Sequence, residues 1–324
     1  MILRTIVSIG AALIPLTLGL GLAQASESYP SRPVRFILPY PAGGTTDILG
    51  RTIAQRLSDR LKQQFIVDNR PGADGIIAYS AVAGAKPDGY TLLLMATSFT
   101  VNPSLHSSLP FDPIKSFSAV GLAAIVTNLV AVHPSVPAKS IGELISLARA
   151  HPGKLNFAGS GAGTASVLGM QLLKDQTKTR MTLIPYRGTP ALITDLISGQ
   201  VDLTLNSLPG LLPYVRNSHI RPLAVTGQQR SKVLPDIPTI SESGYPSFEA
   251  NTWYGILSPA GVPQGIITKL NEEITSILNL NEVSEHLLKA GFEVTTNTPA
   301  QFSMLIEKDI QKWGDIIRKS RTNK

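Results

Sequence analysis

Short apolar runs alternate with helix-spaced apolar residues along most of this chain. Val34–Leu38 predicts a strand, and Leu49, Ile53, Leu57 and Leu61 form an i, i+4 row that predicts a helix over Asp47–Leu61. Phe65–Asp68 predicts a second strand, and the turn-rich segment Asn69–Gly75 leads into another helix. Thr91–Ala96 predicts a third strand, introduced by the Pro87-Asp88-Gly89 turn. The middle of the chain repeats the alternation. Strands are expected at Asn128–Val132, Leu155–Ala158, Thr182–Pro185, Val201–Asn206 and Leu223–Thr226. Helices are expected at Ser140–Ala150, with Ser140 as N-cap and Glu143 at capping-box spacing, and at Pro190–Ser198, stopped by Gly199. Trp253–Leu257 predicts a further strand, and the helices Ile266–Leu278 and Pro299–Lys319 close the chain. Strands separated by helices imply parallel pairing and an α/β fold.

Two strand-to-helix turns stand out against this background. One is PYPAGGTTDILGR, Pro39 to Arg51, and the other is FAGSGAGTASVLG, Phe157 to Gly169. Both follow an apolar run, reach Gly-Thr and open a helix. Such a turn aims backbone N–H groups and the positive end of a helix dipole at one spot, which suits an anion. The bland alternative is a well-capped helix start in the first case and a tight structural turn in the second. The second turn lacks the spacing of a dinucleotide fingerprint, the lysine of a Walker loop and the order of a nucleophile elbow. An exported hydrolase using Ser160 is the rival class, and no His–Asp partner set accompanies it.

Composition narrows the class. The chain has 324 residues and is 43% hydrophobic, enough for two lobes with real cores. Arg4, the apolar stretch Ile6–Leu22 and Ala23-Gln24-Ala25 form a secretory signal peptide over residues 1–25; an N-terminal membrane anchor is the alternative. A periplasmic, soluble mature protein is expected. The absence of cysteine excludes disulfides, thiol catalysis, thiolate metal sites and a lipid-bearing N-terminal cysteine. The formal charge of +7 falls to +6 when Arg4 leaves, and a mildly basic surface steers anionic ligands. Lys and Arg are scattered, without the basic stripe of a nucleic-acid binder. His106, His133, His151, His219 and His286 lack metal-ligand spacing, so no metal and no cofactor is expected. Asp195 and Asp202 are separated by the helix stop at Gly199, which argues against a paired-acid site. Arg187 follows a strand and either faces a cleft or is a solvated loop residue. Asn206 and Ser207 either contact a ligand or cap a turn, and Trp253 and Tyr254 are read as core rather than a ligand stack.

With these motifs in hand, the chain resembles the Bug/TctC family of extracytoplasmic solute-binding proteins of tripartite tricarboxylate transporters. The resemblance covers nearly the whole mature chain. It rests on ordered motifs that include YPSRPVRFILPYPAGGTTDILGR, VDNRPGADG, AKPDGYTLL, PGKLNFAGSGAGT, PYRGTPALITDLISGQVDL and WYGILSPAGVPQGIITKLN. It implies a two-lobed periplasmic-binding fold of the type II, Venus flytrap kind, with mixed sheets flanked by helices. Lobe one would be residues 26–125 plus 252–324 and lobe two 126–251, the chain crossing near Ala123–Thr127 and Ala250–Trp253. It implies a monomeric, non-catalytic receptor for a small organic acid or related polar metabolite, which delivers its ligand to integral-membrane transporter subunits. Presentation to a signalling receptor is the alternative. Family ligands also include amino acids, nicotinic compounds and aromatic acids. Carried onto this sequence, the first turn contributes Ala42, Gly43, Gly44, Thr45 and Asp47, and the second Ser160, Gly161, Ala162, Gly163 and Thr164. Phe99, Thr100, Asn102, Arg187, Gly188, Thr189, Asn206 and Ser207 are the candidates for the distal pocket. One departure stands out: many members carry a histidine where this chain has Val167.

Overall fold

The structure, a computed structural model, describes residues 29–322; the expected signal segment lies outside them. The first half runs β1 (Val34–Leu38), α1 (Thr45–Leu61), β2 (Phe65–Asn69), α2 (Ile76–Ala83), β3 (Thr91–Ala96), α3 (Ser98–Leu105), β4 (Phe117–Val126), β5 (Asn128–Val132), α4 (Ile141–Ala150) and β6 (Asn156–Gly159). There follow α5 (Ala165–Thr177), β7 (Thr182–Pro185), α6 (Thr189–Ile197), β8 (Leu203–Ser207), α7 (Leu208–Arg216) and β9 (Arg221–Val225). The chain closes with β10 (Thr252–Pro259), α8 (Gln264–Leu278), α9 (Asn281–Lys289), β11 (Glu293–Val294) and α10 (Pro299–Thr322).

These strands form two sheets. The first has the order β11-β4-β10-β3-β1-β2 and the second β7-β6-β8-β5-β9. In the first, β2, β1 and β3 are parallel and β10 joins β3 antiparallel; in the second, β7, β6 and β8 are parallel and β5 joins β8 antiparallel. Each sheet thus joins its parallel strands to an antiparallel strand that adjoins a crossing between the sheets, β10 in the first and β5 in the second. The molecule is a two-lobed α/β protein.

Periodicity finds its partner in packing. Leu49, Ile53 and Leu57 of α1 are fully buried against Phe36 and Leu38 in one core, while Leu61 lies at its edge. Burying each such side chain contributes about 1.5–3 kcal/mol. Ser140 caps α4 by accepting from Glu143 N at 3.2 Å, and Glu143 reaches back to Lys139 N at 2.8 Å. Trp253 is core: its Nε1 donates to Asp309 Oδ2, which also accepts from Thr100 and Trp313. Burial raises the Asp309 carboxyl above its ordinary value despite these donors.

Only Thr127 separates β4 of the first sheet from β5 of the second. The return crossing enters β10 at Thr252. Buried Asn128 ties the two crossings together: its Nδ2 donates to Ala250 O, and its Oδ1 accepts from Thr252 Oγ1 at 3.2 Å and Ser207 Oγ at 3.1 Å. Thr226 Oγ1 donates to Ala250 O and receives Asn128 N.

Candidate functional site

The carboxyl ends of the parallel strands of both sheets face one cleft, the usual place for a ligand in open α/β sheets. At its base is a pocket of about 50 Å³ lined from both lobes. The turn after β1 brings Tyr40, Pro41, Gly44, Thr45 and Thr46; the end of β3 brings Ala96 and Ser98. From the other side come Ser160, Thr164, Ala165 and Ser166, then Gly188, Thr189 and Pro190, then Asn206 and Ser207. Thr252 and Tyr254 of β10 complete the wall.

Five helices begin at this pocket: α1 at Thr45, α3 at Ser98, α5 at Ala165, α6 at Thr189 and α7 at Leu208. Each helix start is equivalent to roughly +0.5 charge, and its first-turn amides have no partner within the helix. The lining itself contains no Lys, Arg, Asp or Glu. The site is therefore electropositive through oriented peptides and hydroxyls, without a formal cation. Thr45 Oγ1 is buried without a hydrogen-bond partner. An unpaired buried hydroxyl is costly, and a ligand acceptor would satisfy it.

Asn206 organises the hydroxyls of lobe two. Its Nδ2 donates to Ser160 Oγ at 3.2 Å, and its Oδ1 accepts from Thr189 Oγ1 at 3.3 Å and Ser207 N at 2.8 Å. In lobe one, Tyr40 and Ser98 share a hydrogen bond of 2.6 Å. Ser207 and Tyr254 meet across the lobes at 3.4 Å. Burial pushes the Tyr254 phenol up to about 12 and the Tyr40 phenol well above its ordinary value, so both are neutral hydroxyls at physiological pH.

Of the residues expected from sequence, Gly44, Thr45, Ser160, Thr164, Gly188, Thr189, Asn206 and Ser207 line this pocket. Gly161, Ala162 and Arg187 line the wider cleft above it. The others lie elsewhere. Ala42 and Gly43 are exposed and do not line the pocket, although a Cβ on Gly43 would come within 4.0 Å of Pro190 Cγ across the cleft. Asp47 faces away from the ligand space: it accepts from Gly43 N at 2.9 Å, Arg51 Nε at 2.9 Å and Asn69 Nδ2 at 3.0 Å. It is a brace of the loop. Burial alone would raise its carboxyl, but the hydrogen bonds from Arg51, Gly43 and Asn69 hold it below the ordinary carboxylate range.

Helix geometry explains the placement of Phe99, Thr100 and Asn102. Ser98 meets the pocket, and each following residue turns about 100° away. Phe99 enters an aromatic cluster with Tyr79, Phe111 and Phe117, and Thr100 bonds Asp309 at 2.6 Å. Asn102 donates to Asp74 O at 3.0 Å and lies beside Gly163, whose absent Cβ would sit 3.1 Å from Asn102 Oδ1. Gly163 is thus a point of close approach between lobes. Val167 packs toward Gly159 and not into the pocket. Sequence reasoning missed Tyr40, Ser98, Ser166 and Thr252, and it preferred core to a ligand stack for Tyr254. The signal for Ser98 was its place just after a strand end.

A family model, "Tripartite tricarboxylate transporter family receptor", matches residues 49–321. This chain belongs to that family. It is 33% identical to the protein BugT of Bordetella pertussis over 306 residues, 94% of each chain. Among solved structures, an R. palustris protein with adipate superposes with a TM-score of 0.88 at 35% identity, covering 90% of this chain and 97% of that one. MatC from Rhodopseudomonas palustris, with bound malate, gives 0.84 at 30% identity, covering 89% and 100%. The periplasmic binding protein BugD gives 0.86 at 32%, covering 90% and 98%. These are solute-binding proteins rather than enzymes. Here Ser160 Oγ accepts from Asn206 Nδ2 in the pocket wall.

Proposed function

We propose that this protein is an extracytoplasmic receptor that closes on a small organic acid and presents it to the membrane subunits of a tripartite transporter. The observation that supports this best is the convergence of five helix starts on one pocket that holds no charged side chain. Such a site suits a carboxylate, because several charge-assisted hydrogen bonds of about 1.5–3 kcal/mol each can form without burying a cation. The solved relatives with adipate and malate agree in ligand chemistry. No helix among the described residues is long and apolar enough to cross a membrane, which fits delivery by a protein freed of its signal segment. Residues 26–125 with 252–324 would form one lobe and 126–251 the other, closing about the crossings tied by Asn128. The first and second turns would then grip one head group from opposite sides.

Calorimetry and thermal-shift titration of residues 26–324 against organic acids, with each acid's methyl ester alongside, test this. One-to-one binding of an acid, lost in its ester, is the expected result. Equal binding of acid and ester would overturn it.

A further inference from the structure

Above the pocket the cleft widens into a space of about 670 Å³. Tyr40, Pro41 and Ser160 line both spaces, so a ligand can extend from one into the other. The outer walls are mainly apolar: Pro39 and Pro71 stand on one side, Ala162 and Pro185 on the other. Its ionisable side chains are Tyr40, Asp74, Tyr186 and Arg187, and the Tyr40 hydroxyl is already shared with Ser98. Tyr186 is engaged, donating its hydroxyl to Asp195 Oδ2 at 2.6 Å. Asp74 has His106 Nε2 at 3.9 Å. Arg187 is exposed and makes no hydrogen bond or ion pair among the described residues.

The loop that carries Arg187 is fixed on both sides. Pro185 is in register with Gly159 in the sheet, and Tyr186 N donates to Gly159 O at 2.8 Å. The next residue, Gly188, is pressed against the opposite lobe: a Cβ there would lie 3.0 Å from Pro41 Cδ and Cγ. Arg187 is therefore held at the seam between the lobes, two residues before α6 starts at Thr189 beside the inner pocket. An unpaired guanidinium above an apolar passage is a receptor for a planar anion, since its fork matches a carboxylate bidentately. The apolar walls disfavour polar groups between the two ends, because those would lose water without gaining partners.

We propose that Arg187 sets ligand choice, by pairing with a second carboxylate that an apolar spacer separates from the one in the inner pocket. The ligand class is a diacid with an unsubstituted aliphatic or aromatic body. This rests on the organic-acid assignment of the inner pocket and specifies its other end.

The test is calorimetry with matched acids, hexanoate against adipate and the longer pairs of the same series. It uses wild type, Arg187→Gln and Arg187→Lys, with melting temperatures taken to show that each folds. The wild type should favour the diacid. Arg187→Gln should weaken the diacid about tenfold, equal to about 1.4 kcal/mol, and leave the monoacid within about twofold. Arg187→Lys should recover part of the loss, and added salt should shrink the diacid preference, as for a partly exposed pair. Equal weakening of both acids, or no change in either, would overturn the role of Arg187 while leaving the organic-acid site intact. If no acid binds the wild type, the proposal and the assignment beneath it fall together.

Discussion

Asp47 braces the first glycine-rich turn from within its own lobe, whereas part of what holds the second turn comes from the lobe across the cleft. Around Asp47 the amide of Gly43, the guanidinium of Arg51 and the amide of Asn69 converge; Asn69 also donates to Tyr40 O at 3.0 Å. Gly44 starts α1 without a side-chain cap, so the amides there are left for a ligand. In the second turn, Thr164 caps α5 by accepting from Val167 N and donates to Gly161 O at 2.9 Å. The rest of its support is foreign: Gly161 lies against Asp74, and Gly163 against Asn102 and Leu105. Leu168, one turn into α5, packs on the patch formed by Val101, Trp313 and Ile317. The first turn is thus held mainly by its own lobe, and the second shares its support with the other lobe. Under the proposed closure, a ligand held by the first turn would be gripped by the second only when the lobes meet.

The strongest way to break this contrast is Gly163→Leu. Gly163 has an ordinary backbone conformation, so the substitution adds bulk without backbone strain. Its Cβ would meet Asn102 Oδ1 and Leu105 Cδ1, both at 3.1 Å, and the rest of the side chain would wedge the lobes apart. Binding should weaken by about a hundredfold or more, because the competent closed state is depopulated. The melting temperature of the unliganded protein should stay close to wild type. Calorimetry reads the first, and small-angle scattering with ligand should show a cleft that stays open. Wild-type affinity in a folded variant would show that the second turn does not depend on the opposite lobe.

Asp47→Ala should break the first turn instead, and there stability is the larger effect. Losing the acceptor for three donors is expected to cost about 2 kcal/mol, or roughly 4–8 °C for a chain of this size. The sign with pH follows from the lowered carboxyl. The contribution of Asp47 is full above the ordinary carboxylate value near 4 and is lost as pH falls through the lower folded value. Denaturant titrations of wild type and variant should therefore differ most at neutral pH and converge toward pH 2. A gap that does not change with pH would mean that the charge of Asp47 is not what braces the loop.

Much of this arrangement was legible as local pattern, and what was not is non-local. The strand–turn–helix units showed themselves because apolar spacing and glycine mark them within a dozen residues. β4, FSAVGLAAIV, escaped because its alanines and glycine show no alternation; most of it is buried between neighbours. α7, LPGLLPYVR, contains two prolines and a glycine and looks like a loop. Pro209 is tolerated because a first-turn amide needs no partner there. Tyr254 was read as core rather than a ligand stack; every residue of β10 is buried, and sequence does not say which part of a buried strand reaches a cleft. Asp47 entered the candidate site through the resemblance of the first turn to the family's; the donors that claim it include Asn69, twenty-two residues away. Arg187 and Ser207, in contrast, were visible as polar residues directly after strands, where parallel topology sends the chain to the cleft.

The finest test of the comparison is Thr164→Ala. It removes the one cap of the second turn that belongs to its own lobe and leaves the contacts of Gly161 and Gly163 in place. Losing an N-cap costs about 1 kcal/mol, so the melting temperature should fall by roughly 2–4 °C. Thr164 also lines the pocket, and binding should weaken by only a few-fold, because the opposite lobe still presses the turn into shape on closure. Thr164→Ser, which keeps the oxygen that accepts from Val167 N, should restore both. The outcome separates the two means of support. If Thr164→Ala weakens binding as much as Gly163→Leu does, the second turn is held from within like the first, and closure adds nothing to its shape. If the loss is small and appears mainly as faster release of ligand, the cap steadies a turn that the facing lobe completes.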